Sequence, residues 1–250
     1  MSGKGGPMMK HIPVILCTAL CSILCLQGCG DFSCGDILKP RFANMGKGAD
    51  IRALKEKINT YETGVKSGSV SPRKLAIAYQ QLGERYIAKK MWDPAIDAMK
   101  KAIGLGRTNV IVHHALGTAY AYKARETENA DFGNLAEHHY KKALEVSPAF
   151  VDAAYGLALL QFYVQDKKEE GIRTLEELSA QRPSFYRGRF ALARFYYETG
   201  DTRKSLTVYE TLYSSLEEAH SSPDVREYRR LCKENIDRLM QEMSAPGPRR

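Results

Sequence analysis

The feature that most constrains the fold is an internal repeat. Four segments share one pattern: AIAYQQLGERY from Ala76, VIVHHALGTAY from Val110, VDAAYGLALLQ from Val151 and YRGRFALARFY from Tyr186. Each carries Leu followed by a small residue, as Leu82-Gly83, Leu116-Gly117, Leu157-Ala158 and Leu192-Ala193, and then an aromatic at Tyr86, Tyr120 and Tyr196. Gln161 takes the aromatic place in the third segment. A second periodic stretch follows each time, reading Ala95, Met99, Ala102; Ala136, Tyr140, Ala143; Gly171, Leu175, Leu178; and Ser205, Tyr209, Leu212. Small residues alternate with large ones because two helices approach closely only where one partner lacks bulk. Such units cannot bury their apolar face alone, so they stack.

The first unit starts 34 residues before the second, and Pro148 and Pro183 close the second and third. These residues and this period resemble the tetratricopeptide-repeat (TPR) family. The resemblance covers residues 76–219 and implies an all-α fold: a right-handed superhelical solenoid of about four helix-turn-helix repeats, flanked by an N-terminal helix and a C-terminal capping helix. Departures are local. Arg107 and Glu217 stand where a closing proline is usual, the third unit has one extra residue near Lys168, and the second has about seven extra in RETENADFGN, from Arg125 to Asn134. That insertion reads as a lengthened polar hairpin turn, with a partner-specific loop as the alternative.

Outside the repeats, Ile51, Leu54, Ile58, Tyr61 and Val65 recur at helical spacing, and a loop containing Gly64, Gly68 and Pro72 ends that helix. After Pro223, the residues Val225, Tyr228, Leu231, Cys232, Ile236 and Leu239 form an apolar stripe on a charged helix, as a terminal cap requires.

The first 48 residues are of another kind. Lys4, Lys10 and His11 precede the uncharged run Ile12–Leu26, and Gln27-Gly28-Cys29 follows. Basic start, apolar middle and small residues make a secretory signal. Fifteen helical residues span only about 22 Å, short of the ~30 Å hydrocarbon core, so a transmembrane anchor is the weaker reading. Leu26-Gln27-Gly28-Cys29 resembles the lipobox of bacterial lipoproteins, although Gln27 stands where a small residue is usual. That resemblance implies diacylglyceryl attachment at Cys29 and cleavage just before it. It also implies anchoring in the bacterial cell envelope, at the periplasmic face of the outer membrane. An ordinary secretory signal with an incidental cysteine is the alternative. Cys17, Cys21 and Cys25 leave with the signal, and only Cys34 and Cys232 keep free thiols.

These readings divide the chain into a signal (1–28), a lipidated tether (29–48) and an N-terminal helix and loop (49–72). Repeats follow at 76–109, 110–150, 151–185 and 186–219, then the cap (223–243) and a tail (244–250).

Chemistry is sparse. The net charge of +8 is spread among interleaved acidic and basic residues, without an unbroken basic run or an RNA-binding motif, so nucleic acid is not expected as a partner. No phosphate loop or nucleophile elbow is present, and no catalytic residue, cofactor or metal site is assigned. His113, His114, His138 and His139 fall in one hairpin. Repeat geometry sends His113 into the hairpin, His114 to the groove, and His138 and His139 to the outer side, so their rings should not converge.

The TPR resemblance implies that first helices line a concave groove. Its lining would be Ile77, Gln80, Glu84 and Ile87 from the first unit, and His114, Thr118 and Tyr122 from the second. The third adds Asp152, Tyr155, Leu159, Phe162 and Tyr163; the fourth adds Arg187, Phe190, Arg194 and Tyr197. Aromatics and Arg are the residues that dominate binding hot spots; for each of these aromatics, packing against the next helix is the alternative. TPR repeats that grip the acidic tails of heat-shock chaperones need Lys, Asn and Arg at set positions. Here those places read Gln80, Glu84, Ala115, Asp152 and Gly156, which would repel an anionic terminus. The expected function is a membrane-anchored, non-catalytic scaffold that takes a peptide or helix of another envelope protein into the groove. The alternative is a ligand-binding accessory subunit of a solute transporter, binding a small organic anion if the groove closes into a deep pocket.

Overall fold

The computed structural model describes residues 50–220 and 222–244; the segments expected to be a signal and a tether, Cys29 with them, and the last six residues lie outside that range. Among the described residues there are ten α-helices and no strand: α1 (Ile51–Lys66), α2 (Pro72–Ala88), α3 (Trp92–Gly104), α4 (Val110–Thr127) and α5 (Ala130–Val146), then α6 (Val151–Tyr163), α7 (Lys168–Gln181), α8 (Tyr186–Glu198), α9 (Thr202–Glu218) and α10 (Pro223–Ser244). Each helix packs on the next in sequence, and α2 also touches α4, as α4 touches α6 and α8 touches α10. Contacts between alternate helices therefore favour the first helix of each pair, which puts those helices on the shorter, inner path of the array.

Local chemistry sets the boundaries. The Ser71 hydroxyl accepts from the Arg73 N–H at 3.3 Å, with Pro72 as the first helical residue of α2. Asn109 and Asn129 cap α4 and α5 by accepting from Val112 and Asp131 at 3.0 and 2.8 Å. Turns inside the pairs are short, and each reverses through one residue in the left-handed region: Lys90, Glu128, Asp166 and Gly200.

Two expectations are corrected here. Gly64 is not a loop residue: it lies inside α1, and its carbonyl accepts from Ser69 and Val70 as the chain folds back at 2.8 and 3.0 Å. The 125–134 insertion is not a long turn either. Only Glu128 and Asn129 separate α4 from α5, and the other residues of the insertion continue the two helices, of 18 and 17 residues. Ala, Arg and Glu sustain a helix well. The extension is also held from the side, because Glu126 accepts from Trp92 Nε1 at 2.6 Å and Phe132 stacks near Tyr120 at 6.1 Å.

The small-large alternation has a concrete meaning at Tyr140. This buried ring of α5 sits between α4 and α6, and a Cβ on either Gly117 or Gly156 would lie 2.7 Å from it. Core residues along the array include Met99, Leu116, Leu175, Phe195, Tyr209 and Leu212, each exposed by 1% or less. Full burial of such a side chain is worth about 1.5–3 kcal/mol, so these residues contribute much of the packing stability. At the far end, α10 buries Leu231, Cys232 and Leu239 and turns Arg230 with Glu227 and Glu234 to solvent. Burial pushes the Cys232 thiol up to about 12, so it packs as a small apolar group.

Candidate partner-binding groove

The inner helices present the predicted groove residues in three different states. In the first repeat, Gln80 and Glu84 are buried and bonded to each other at 2.7 Å. Asn109 donates to the Gln80 oxygen at 3.3 Å, and Arg107 reaches the same atom. These two residues thus tie α2 to the α3–α4 turn, and Arg107 does this in the place of the closing proline. Ile87 is buried and Ile77 half-buried.

In the second repeat His114, Thr118 and Tyr122 are all buried. Thr118 accepts from the Tyr140 hydroxyl at 3.3 Å and donates to the His114 carbonyl at 3.0 Å. The His114 ring lies edge-on to Phe150, with centroids 5.3 Å apart. Tyr122 stacks flat on Trp92 at 4.3 Å with Arg125 over its ring at 5.0 Å. In the third, Phe162 stacks on Phe195 of α8 at 3.7 Å, and Tyr155 and Leu159 are buried with it. Burial raises the Tyr155 phenol well above its ordinary range, against the pull of Arg187, whose guanidinium lies 4.5 Å over the ring.

The most accessible of the predicted residues gather at the far end. Tyr163, Arg187, Arg194 and Tyr197 are partly exposed, the arginine side chains by 25% and 15%, whereas Phe190 is buried between Tyr209 and Tyr228. Arg187 pairs with Asp152 at 2.7 Å across α6 and α8. Tyr163 donates to Glu198 at 2.9 Å, and Arg194 reaches the same carboxylate at 3.1 Å. The Tyr197 hydroxyl donates to Glu242 of α10 at 3.2 Å, with Arg238 over its ring at 4.9 Å.

Sequence reasoning missed Glu198, Arg238 and Glu242. Glu198 was findable, one turn beyond Arg194 on the same helix. The other two come from the cap, whose register against α8 is set by packing alone. Cations and carboxylates balance in this cluster, so it suits a peptide with hydrogen-bonding and aromatic groups better than a purely anionic one. An open cleft of about 410 Å³ lies elsewhere, between α1, α2 and α3, lined by Lys55, Glu62, Tyr79, Tyr86, Asp97 and Lys101. Inside it Tyr79 donates to Glu62, and burial with that carboxylate pushes the phenol up to about 12.

His138 is exposed, in keeping with the outer side, but His139 departs from the expectation. His113 Nδ1 and His139 Nδ1 stand 3.2 Å apart, and the His138 ring meets His139 edge-on at 5.2 Å. His139 also stacks parallel to Tyr120 at 5.7 Å. It lies on the flank of α5 that faces α4, so the rings converge where the outer side was expected. Burial first, and then the charges of His113, His138 and Lys100, lower the His139 imidazole to about 4; burial also lowers His113. Among the described residues no group of three or more His, Cys, Asp or Glu is arranged to hold a metal ion, and no helix is long and apolar enough to cross a membrane.

No family model matches the chain, and no curated protein matches it. Solved structures do. YrrB, a TPR protein described with an unusual peptide-binding site, is 18% identical and superposes with a TM-score of 0.54, covering 75% of this chain and 85% of that one. TTC0263, a thermophilic TPR protein in Thermus thermophilus, is 19% identical with a TM-score of 0.52, covering 72% and 91%. MamA is 18% identical at a TM-score of 0.49, covering 76% and 89%. The first two show the fold: an all-α TPR solenoid.

Proposed function

We propose that the chain is a non-catalytic protein-interaction scaffold that holds a peptide or helix of a partner protein in its inner groove. A bacterial envelope setting, with a diacyl anchor at Cys29 facing the periplasm, completes the proposal; the lipobox-like Leu26-Gln27-Gly28-Cys29 supports it. The observation that carries the binding role is the far-end cluster of Tyr163, Arg187, Arg194 and Tyr197, each partly exposed on two successive inner helices. Tyr and Arg present large contact area and several donors at once, the properties of interface anchors. The peptide-binding site named for YrrB is in keeping with a groove used in this way.

The test is a pull-down from detergent-solubilised envelopes, wild type beside Tyr163→Ala/Arg194→Glu. Phe190 is a poor target because its ring packs on Tyr209 and Tyr228, so its loss would loosen the cap itself. A partner retained by wild type and lost from the double variant supports the groove; an identical catch with both sinks it. For the anchor, incorporation of a fatty-acid analogue should depend on Cys29, and label retained in Cys29→Ser would show that the lipobox reading is wrong.

A further inference from the structure

The second repeat carries a feature that partner binding does not use: a hydrogen bond between two imidazoles. His113 of α4 and His139 of α5 stand Nδ1 to Nδ1 at 3.2 Å, with ring centroids 5.4 Å apart. The rings meet nearly head-on, so one Nδ1–H donates to the other Nδ1. A first added proton leaves that bond in place, because an imidazolium still donates to a neutral ring. A second removes the acceptor and sets two cations face to face. The surroundings add to the repulsion. His138 of α5 meets His139 edge-on at 5.2 Å, and the charges of Lys100 on α3 and Lys142 on α5 act on the pair. Glu145 of α5 opposes them, but it is paired with Lys142 at 2.7 Å. From α4 the His139 ring meets only the stacked ring of Tyr120 beside His113 itself.

The residue after His139 gives the pair its reach. Tyr140 fills the space between Gly117 of α4 and Gly156 of α6, and its hydroxyl donates to Thr118 at 3.3 Å. A shift of α5 at His139 therefore unseats the side chain that joins the second repeat to the third. We propose that the His113–His139 pair is an acid-operated latch on the inner groove: closed with no added proton or one, opened by the second, and releasing Tyr140 when it opens. Burial sets the direction. It lowers both rings, His139 to about 4, so the open hairpin takes up protons more readily than the closed one. Closure is therefore fully favoured above 6.5, the ordinary imidazole value, and weakens as pH falls towards 4. The consequence for a bound partner rests on the groove role proposed above, whereas the latch itself stands on the hairpin alone.

The experiment follows amide hydrogen exchange of the full chain, without a partner, at about pH 7.5 and about pH 4.5, corrected for the intrinsic pH dependence of exchange. Glu137 keeps its contribution over that interval, because its carboxyl is held at about 2. Amides of α5 around Tyr140 should lose at least about tenfold in protection, while α8 and α9 stay within about twofold and helix content is unchanged. His113→Asn and His139→Phe each leave one titrating ring in the pair, and each should hold the loss below about twofold. Three results overturn the proposal: no loss around Tyr140 in the wild type, an equal loss in α8 and α9, or the same loss in His113→Asn as in wild type. His113 is partly exposed, so its Asn variant decides the question even if His139→Phe fails to fold. No partner enters the measurement, so its outcome is independent of whether the groove binds one.

Discussion

Tyr163 of α6 donates its hydroxyl to Glu198 of α8 at 2.9 Å, a bond between side chains thirty-five residues apart on neighbouring inner helices. Arg194 reaches the same carboxylate from one turn away. The three side chains form one unit at the edge of the groove, and their spacing comes from the repeat.

That unit is near solvent, so it should matter more for binding than for folding. Glu198→Ala, which removes the exposed carboxylate of the unit, should change the urea unfolding free energy by less than about 1 kcal/mol, as loss of an exposed ion-pair partner does. A much larger loss would mean that the cluster is structural and that binding defects in this variant cannot be read as contact losses.

Tyr140 predicts a steep asymmetry among glycines. Gly117→Ala or Gly156→Ala would drive a methyl into its ring and should destabilise the protein by about 1–3 kcal/mol. Gly104→Ala meets nothing within 4 Å and should be neutral or stabilising by up to about 1 kcal/mol. Urea midpoints measured side by side distinguish the two cases.

Acid stability should fall in two stages. His139 is lowered to about 4 from 6.5, so the unfolded chain takes up the proton first, and stability is lost as pH drops through that interval. Burial pushes Glu137 up, yet hydrogen bonds from Lys141, Gln165 and Lys167 outweigh it and hold the carboxyl at about 2. Its contribution is present above 4.5 and is lost as pH falls towards 2. His139→Phe should flatten the upper stage and Glu137→Gln the lower, measured by urea unfolding across pH 2–7.

Trp92, the single tryptophan of the chain, joins the first two repeats by stacking on Tyr122 and donating to Glu126. Trp92→Phe keeps the stack and loses the hydrogen bond, for about 1 kcal/mol; Trp92→Ala loses both, for about 3–5 kcal/mol. Far-UV circular dichroism in urea gives both values.

The repeat is legible because it is written in local terms. Leu82-Gly83 or Leu116-Gly117 against a large residue in the second helix states a helix pair without any long-range information. The failures share a different cause. Gly133 and Asn134 read as turn punctuation, but Gly133 is buried in α5, where the nearby helix formers and the Trp92–Glu126 bond override it. Gly64 misleads in the same way. An idealised helical wheel puts His139 outside, and the real flank of a lengthened hairpin brings it to His113. Of the groove residues, positions are legible and accessibility is not. Phe162 and Tyr122 have groove spacing, yet each stacks on a ring from a neighbouring helix, and no local pattern distinguishes such a ring from Tyr163.

The central claim, a partner held in the inner groove, is tested most directly by site-specific photo-crosslinking in intact envelopes. A benzophenone amino acid at Tyr163 or Tyr197 should yield a discrete adduct that Arg194→Glu weakens, and the same probe at exposed Glu177 on α7 should yield none. Adducts from Glu177 with none from Tyr163 and Tyr197 would contradict the account.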